Sequence, residues 1–299
     1  MRQPRPFRSA AVAVANGGGA ARRPRGRTLA WAALYLCGVL GASCGPPPLR
    51  AGIDPEIHVF AGVGPVPLDA TPLAAEPGFR EASWVVGGAP RSASLWLPEG
   101  PPRSVVVMLH GAVVRIAGAP VLEPPTVAVR MLRCLGQPAF AAQRSLVIAP
   151  HSADGQWWKN DDTAFVLGLV AAARQRWPGI GSRSAITGYS NGGIATWYFA
   201  RLYPEWFSAA IPMAFNDMIV GATRIPVYAI QGDKDEMFEF EPVRAALARE
   251  RARGTDVTLS VRHRAGHMTP CAYAPELSAA GQWLESYAFA QRAPRRPSP

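Results

Sequence analysis

A serine lies between two glycines in the stretch Gly188-Tyr189-Ser190-Asn191-Gly192, which has the pattern G-x-S-x-G. The stretch follows a short apolar run and precedes a helical pattern, which is the strand, turn and helix context that this motif requires. A turn that sharp leaves room only for small residues on either side of the serine, which accounts for Gly188 and Gly192. We therefore predict that Ser190 is a nucleophile at the N-terminus of a helix.

A serine hydroxyl is a weak nucleophile until a base accepts its proton. Where the serine lies on such a turn, the acid and the base follow it in the chain order Ser, Asp or Glu, His. The loop after the apolar run Val227–Ile230 offers Asp233 and Asp235 as the acid. We favour Asp235 because it lies far enough into the loop to turn towards a histidine, whereas Asp233 is suited to shaping the turn.

The loop after the apolar run Val257–Val261 offers two candidates for the base, His263 and His267. We favour His267 because the glycine before it permits a close approach to the serine. His263 lies between two arginines, and we expect it to be structural. His151, at the end of another apolar run, is also predicted to be structural. The predicted triad is therefore Ser190, Asp235 and His267, with Asp233 and His263 as the alternatives.

A tetrahedral intermediate requires hydrogen-bond donors for its oxyanion. One predicted donor is the backbone N–H of Asn191, directly after the nucleophile. The other comes from the loop after the run Ser104–Leu109, where we favour the N–H of Ala112 and keep that of Gly111 as the alternative. His110 begins this loop and is predicted to shape it.

Three aromatic side chains are weaker candidates for binding substrate, namely His110, Trp157 and Trp158. The two tryptophans either form an aromatic wall for an acyl or phenolic group or pack in the core. The chain has no C-x-x-C motif. We therefore predict no metal site, and we expect no cofactor.

Short apolar runs and helical patterns predict the elements that position these residues. Strands are expected over Trp84–Val86, Ser94–Leu97, Ser104–Leu109, Ser145–Ala149, Ala185–Thr187, Ala209–Ile211, Val227–Ile230 and Val257–Val261, and helices over Asp162–Arg176, Gly192–Tyr203, Pro242–Arg253 and Pro275–Ala290. Two aspartates at the start of the first helix are expected to cap its free N–H groups. The alternation predicts an α/β fold, with a mostly parallel central sheet and helices on both faces. Ligands bind such sheets at the carboxyl ends of the strands.

Two motifs resemble those of a known family. The helix start Asp161-Asp162-Thr163-Ala164-Phe165 and the turn Ser190-Asn191-Gly192-Gly193 are similar to the polyhydroxybutyrate depolymerase and feruloyl-esterase-like branch of the α/β hydrolases. The resemblance covers roughly residues 100–290. It implies the α/β-hydrolase fold and hydrolysis of carboxylic esters through an acyl-enzyme, with Ser190, Asp235 and His267 as the triad.

The chain departs from this family at several positions, including Ala112, where the family often has cysteine. These departures leave the substrate open, and we predict an esterase for small or oligomeric esters. Two alternatives remain. One is a peptidase or acyltransferase with the same triad, since the triad does not choose the acceptor. The other is a non-catalytic exported protein that uses this fold for binding.

The formal net charge of +10 is concentrated at the N-terminus. Residues 1–44 carry seven arginines and no acidic residue, whereas residues 45–291 are close to neutral, so we predict no nucleic-acid partner. The arginines precede Leu29–Ala42, an apolar run that is short for a membrane span and typical of a signal peptide. We predict a bacterial protein that is exported, and is secreted, periplasmic or anchored to a membrane.

The stretch Gly41-Ala42-Ser43-Cys44 resembles a bacterial lipoprotein cleavage box. Either Cys44 is lipidated and attaches the protein to a membrane, or the signal peptide is cleaved in the ordinary way. The predicted organisation is a signal peptide over 1–44, a Pro/Gly-rich linker over 45–80, a hydrolase domain over 81–291 and a basic, disordered tail over 292–299. Within the domain, Cys134 and Cys271 form either a disulfide or two buried thiols.

Overall fold

A computed structural model describes residues 62–73, 76–112 and 124–291 of the chain. The predicted signal peptide with Cys44, the first part of the predicted linker and the basic tail all lie outside these residues. No helix among the described residues is long and apolar enough to cross a membrane.

In the described part of the chain, eight strands form one sheet in the order β1-β2-β4-β3-β5-β6-β7-β8. They span Gly78–Val86 (β1), Ala89–Leu97 (β2), Ser104–Leu109 (β3), Ser145–Pro150 (β4), Ser184–Tyr189 (β5), Ala209–Met213 (β6), Val227–Gly232 (β7) and Val257–Arg262 (β8). The strands β3 to β8 are parallel, while β1 and β2 form an antiparallel extension at one edge. The predicted α/β fold with a mostly parallel sheet is confirmed.

Helices cover both faces of the sheet, because successive side chains of a strand point to opposite faces. In β3, Val105 and Val107 pack in one core cluster, while Val106 and Met108 pack in the other. The first cluster lies under α3 (Asn160–Arg176), α4 (Asn191–Leu202) and α5 (Phe240–Ala252), and the second lies under α1 (Pro124–Met131), α2 (Gln137–Phe140) and α6 (Ala274–Trp283). The continuous apolar runs in the sequence are therefore strands that are buried on both faces.

Two helical segments contain a wider, π-helical turn. Such a turn at Leu132–Gly136 joins α1 to α2, and a second at Leu284–Ala288 joins α6 to α7 (Phe289–Gln291). The α1–α2 segment was not predicted from the sequence. Short 3₁₀ turns lie at Thr71–Leu73, Pro178–Ile180, Asp217–Ile219 and Pro270–Tyr273.

The N-terminal boundary of the domain differs from the prediction. The predicted linker extends to residue 80, but β1 already begins at Gly78 and Leu73 is fully buried in the core. The backbone N–H of Val66 donates to the carbonyl of Ala164 at 3.1 Å, which fixes this segment against α3. Residues 62–73 therefore pack on the domain, through the buried side chain of Leu73 and the backbone hydrogen bond of Val66.

Cys134 and Cys271 form a disulfide, which decides between the two alternatives left open by the sequence. Cys134 lies in the π-helical turn after α1, and Cys271 lies in the 3₁₀ turn that precedes α6. The bond therefore joins the loop that follows β8 to the helical layer on one face of the sheet.

Candidate active site

Ser190 lies on a strained turn between β5 and α4. Its φ of 57° and ψ of −120° are unusual for a residue that carries a side chain. The surrounding glycines permit this turn, because a Cβ on Gly188 would lie 2.3 Å from the carbonyl oxygen of Gly192, and one on Gly192 would lie 2.0 Å from that of Leu109. The close packing of strand, turn and helix holds the serine hydroxyl above the carboxyl edge of the sheet.

The structure brings Ser190, His267 and Asp235 together at this edge. The Oγ atom of Ser190 lies 2.9 Å from Nε2 of His267, and Nδ1 of His267 lies 2.9 Å from Oδ2 of Asp235. The side chains of His267 and Asp235 are buried, whereas Ser190 is half-buried. In this order of contacts Nδ1–H donates to the carboxylate, so that Nε2 is free to accept the serine proton.

The carboxylate of Asp235 is oriented by its own loop. Its Oδ1 accepts hydrogen bonds from the backbone N–H groups of Met237 at 3.0 Å and Phe238 at 2.8 Å. Gln231, buried at the end of β7, directs its side-chain amide towards Oδ2 at 3.4 Å. These contacts fix the plane of the carboxylate and aim it at the imidazole.

Three residues that were not predicted from the sequence hold His267 in place. Its backbone N–H donates to Oε2 of Glu236 at 2.8 Å, and its carbonyl accepts from the hydroxyl of Tyr189. Burial raises the pKa of Tyr189, so this phenol remains protonated and can donate. The ring of Phe238 packs edge-on against the imidazole, with the ring centroids 4.9 Å apart.

The alternative acid and base form a second pair that lies away from the serine. Nδ1 of His263 lies 3.0 Å from Oδ2 of Asp233, and the side chain of His263 is 81% exposed. The hydrogen bond from His263 and another from the N–H of Arg264 lower the pKa of Asp233. Asp233 and His263 bond to each other at the surface, so the geometry favours Asp235 and His267 as the partners of Ser190.

Of the residues predicted to supply oxyanion donors, Asn191 directly follows Ser190, and Gly111, the alternative to Ala112, packs against the turn that carries Ser190. Asn191 is the first residue of α4, so its N–H has no acceptor within the helix. Gly111 packs directly against the turn, since a Cβ placed on it would lie 3.7 Å from Oγ of Ser190. Ala112 follows Gly111 in the same loop.

The prediction that His110 and Trp157 contact substrate is corrected by their burial. His110 is 1% exposed and Trp157 is fully buried, with their rings packed edge to face at 4.8 Å. The indole N–H of Trp157 donates to the carbonyl of His110 at 2.9 Å. Trp158 is half-buried and packs against the core. The two buried side chains are internal supports of the loop at residues 110–112.

His151 is also a structural residue, as predicted. Its two ring nitrogens each lie 2.8 Å from a serine hydroxyl of β2, those of Ser92 and Ser94. Burial lowers the pKa of His151 to about 4, which keeps the ring neutral at physiological pH. Among the described residues, no cluster of three or more histidine, cysteine or acidic side chains could hold a metal ion.

No family model matches the chain, and no curated protein matches it in sequence. Solved structures do match the fold. S-formylglutathione hydrolase from Staphylococcus aureus is 13% identical with a TM-score of 0.54, covering 70% of this chain and 99% of its own. A fluorophosphonate-binding serine hydrolase of the same organism is 14% identical with a TM-score of 0.54, covering 70% and 99%. A propionate-bound esterase from Thermogutta terrifontis is 15% identical with a TM-score of 0.54, covering 74% and 97%. These similarities establish the α/β-hydrolase fold.

Proposed function

We propose that the protein is a serine hydrolase that cleaves carboxylic esters through an acyl-enzyme intermediate. The observation that carries the proposal is the continuous line of contacts from Oγ of Ser190 through the imidazole of His267 to the carboxylate of Asp235. A hydroxyl in this setting loses its proton to the imidazole as it attacks, which is how a serine becomes a nucleophile at neutral pH. The similarity to solved esterases and serine hydrolases supports the same chemistry.

The reaction has two stages, acylation and deacylation of Ser190. In each stage His267 first accepts a proton and then donates one. Oγ of Ser190 attacks the ester carbonyl while Nε2 of His267 accepts the hydroxyl proton, and Asp235 stabilises the imidazolium. His267 then donates that proton to the departing alkoxide, leaving an acyl group on Ser190. Water repeats the attack with His267 as base, which releases the acid and restores the serine. The N–H groups of Asn191 and Ala112 stabilise the oxyanion in both stages.

Exposed methionines beside the base support substrates with an apolar group. Met268, directly after His267, is 75% exposed, and Met237, whose backbone holds Asp235, is 46% exposed. A flexible thioether side chain adapts to acyl and alkyl groups of different shape. The propionate bound to the Thermogutta esterase supports short acyl groups. The motifs that resemble the polyhydroxybutyrate depolymerase and feruloyl-esterase-like branch extend the proposal to oligomeric and aromatic esters.

The test is a panel of substrates assayed with the purified protein and with Ser190→Ala. The panel contains p-nitrophenyl esters of increasing acyl length, aryl esters and an aminopeptidase substrate. We expect ester turnover that Ser190→Ala lowers by several orders of magnitude, on the order of 10⁶ in a comparable triad enzyme. A fluorophosphonate probe should label the wild type and not the variant. Turnover of the amide alone would instead favour a peptidase, and an inactive, unlabelled wild type would refute the proposal.

We further propose that the protein is exported. The arginine-rich leader and the apolar run Leu29–Ala42 support this, and so does the Cys134–Cys271 disulfide, because structural disulfides persist in oxidising compartments. Mass spectrometry of the protein from its bacterial source gives the test. A mature N-terminus at or near Cys44 is expected, with or without lipid, whereas an intact leader on cytoplasmic protein would refute export.

A further inference from the structure

A buried carboxylate near the active site has no role in the triad. Asp162 lies in the first turn of α3 and is 6% exposed. It does not cap the helix, contrary to the prediction, since the helix has no side-chain cap. Instead it forms an ion pair with Arg91 of β2 and accepts a hydrogen bond from Oγ of Ser152 at 2.8 Å. Burying a charge costs free energy because the charge loses its hydration. A buried carboxylate with two such partners therefore indicates a specific arrangement.

Ser152 links Asp162 to His110. The backbone N–H of Ser152 donates to Nε2 of His110 at 3.1 Å, and its Oγ accepts from the N–H of Gly155 at 3.1 Å. Burial lowers the pKa of His110 to about 4, so the ring is neutral and Nε2 can accept. The proton then lies on Nδ1, which donates to the carbonyl oxygen of Gly111 at 2.7 Å.

The carbonyl groups of both peptide bonds in the oxyanion loop are thereby fixed. His110 holds the carbonyl of Gly111, and Trp157 holds the carbonyl of His110. Gly155 packs so closely that a Cβ on it would lie 2.5 Å from the Gly111 oxygen. The described residues contain no cis peptide bond, so each N–H points opposite its carbonyl. Fixing the two carbonyls therefore fixes the directions of the N–H groups of Gly111 and Ala112.

We propose that Asp162 is a positioning residue for the oxyanion hole, acting through Ser152 and His110 on the peptide between Gly111 and Ala112. The inference rests on the proposed function, because it concerns the donor that this chemistry uses. Such donors accelerate a reaction when they are aimed in advance at the oxygen of the transition state. Removal of one donor outright costs about 10²–10³ in kcat, so misdirecting it is expected to cost about tenfold to a hundredfold.

Two variants and one matched control test the proposal. Asp162→Asn removes the charge that pairs with Arg91, and Ser152→Ala removes the link to Gly155 and leaves Asp162 without its hydroxyl donor. Asp161→Asn makes the same change at the exposed neighbouring residue in the same helical turn. We expect the first two to lower kcat with little change in KM, and the control to retain wild-type values.

The distinguishing measurement is the preference for an ester over the matching thionoester, in which sulfur replaces the carbonyl oxygen. Sulfur is a larger and weaker hydrogen-bond acceptor, so a well-aimed oxyanion hole favours the oxygen ester. Asp162→Asn and Ser152→Ala should reduce this preference at least tenfold. Asp235→Asn, which damages the triad, should lower both rates and leave the preference unchanged.

The outcomes separate this inference from the proposed function. A wild type that hydrolyses neither ester refutes the proposed function and with it the inference. An active wild type whose preference is unchanged in both variants overturns the positioning role alone. Melting temperatures identify a variant that fails to fold, and Ser152→Ala then carries the test because it removes only one hydroxyl.

Discussion

Replacing Asp235 with asparagine should nearly abolish activity, because the structure dictates how the new amide must lie. Oδ1 of Asp235 accepts two backbone N–H groups, from Met237 and Phe238, so the carbonyl oxygen of asparagine must take that position. The amide NH₂ then replaces Oδ2 and faces Nδ1 of His267, which lies 2.9 Å away in the wild type. Nδ1 also lies 3.0 Å from Oδ1, but that oxygen already accepts two backbone N–H groups. A donor NH₂ at the position of Oδ2 therefore disfavours a proton on Nδ1 and favours the tautomer that carries it on Nε2.

An imidazole with its proton on Nε2 cannot accept the proton of Ser190. The equivalent substitution in a serine protease lowers kcat by about 10⁴ with the geometry intact, which corresponds to roughly 5 kcal/mol of transition-state stabilisation. We expect a loss of that order for Asp235→Asn. The matched control is Asp233→Asn, which weakens only the surface pair with His263. Exposed ion pairs contribute little, and neither residue of this pair contacts Ser190 or His267, so kcat should stay within about twofold of wild type.

The assay is steady-state hydrolysis of p-nitrophenyl butyrate between pH 6 and pH 9, with circular dichroism to show that both variants are folded. The rate of labelling by a fluorophosphonate measures the nucleophile separately from turnover. The reasoning fails if folded Asp235→Asn keeps more than about a tenth of the wild-type kcat. It also fails if Asp233→Asn is as damaging as Asp235→Asn.

Three further predictions concern the framework of the site. Gly192→Ala should prevent soluble folding, because the new Cβ would lie 2.0 Å from a carbonyl oxygen of β3. The control Gly179→Ala should be tolerated, because no atom lies within 4 Å of its new Cβ. Soluble expression and the melting temperature are measured for both variants. Replacing Cys134 and Cys271 with serine should destabilise the domain by about 2–4 kcal/mol, measured by urea unfolding against the oxidised wild type. His110 has a pKa of about 4 in the folded protein against 6.5 as its ordinary value, so the unfolded chain binds more protons between these values. Stability should therefore fall as the pH decreases from 7 to 5, by on the order of 2 kcal/mol from His110 and by a further, smaller amount from His151, whose pKa is also about 4. A constant urea midpoint over this range would contradict it.

The sheet could be predicted because its strands are buried on both faces and appear as continuous apolar runs. Ser104–Leu109 has the same bounds in sequence and structure, and the other strands extend the predicted cores by one to six residues at an end. The order of serine, aspartate and histidine was also readable, because each follows a parallel strand and therefore reaches the same edge. His267 could be preferred over His263 from neighbouring residues alone, because a glycine precedes His267 and two arginines flank His263.

Other features depend on contacts between distant segments. Asp162 follows the local rule for a helix cap in sequence, but Arg91, 71 residues earlier, takes its carboxylate instead. His110 and Trp157 lie at the correct edge of the sheet, yet their positions along the chain do not indicate whether they face the cleft or the core. The α1–α2 segment contains Pro138 and Gly136 and a π-helical turn, which break the periodicity by which a helix is recognised.

His267, the proposed base, follows the last strand of the sheet in the chain, so the proposed active site can be completed only late in synthesis. Among the described residues, β8 is the last of the eight strands, lies at the edge of the sheet and pairs with β7 alone. A nascent chain that has passed α4 contains Ser190 and the residues predicted to supply the oxyanion donors, but it lacks the proposed base until His267 has been synthesised. The disulfide can form only later, because Cys271 is synthesised four residues after His267. For chains that are stalled or trimmed before β8, which contain Ser190 and Asp235 but not His267, the proposed mechanism predicts no hydrolytic activity.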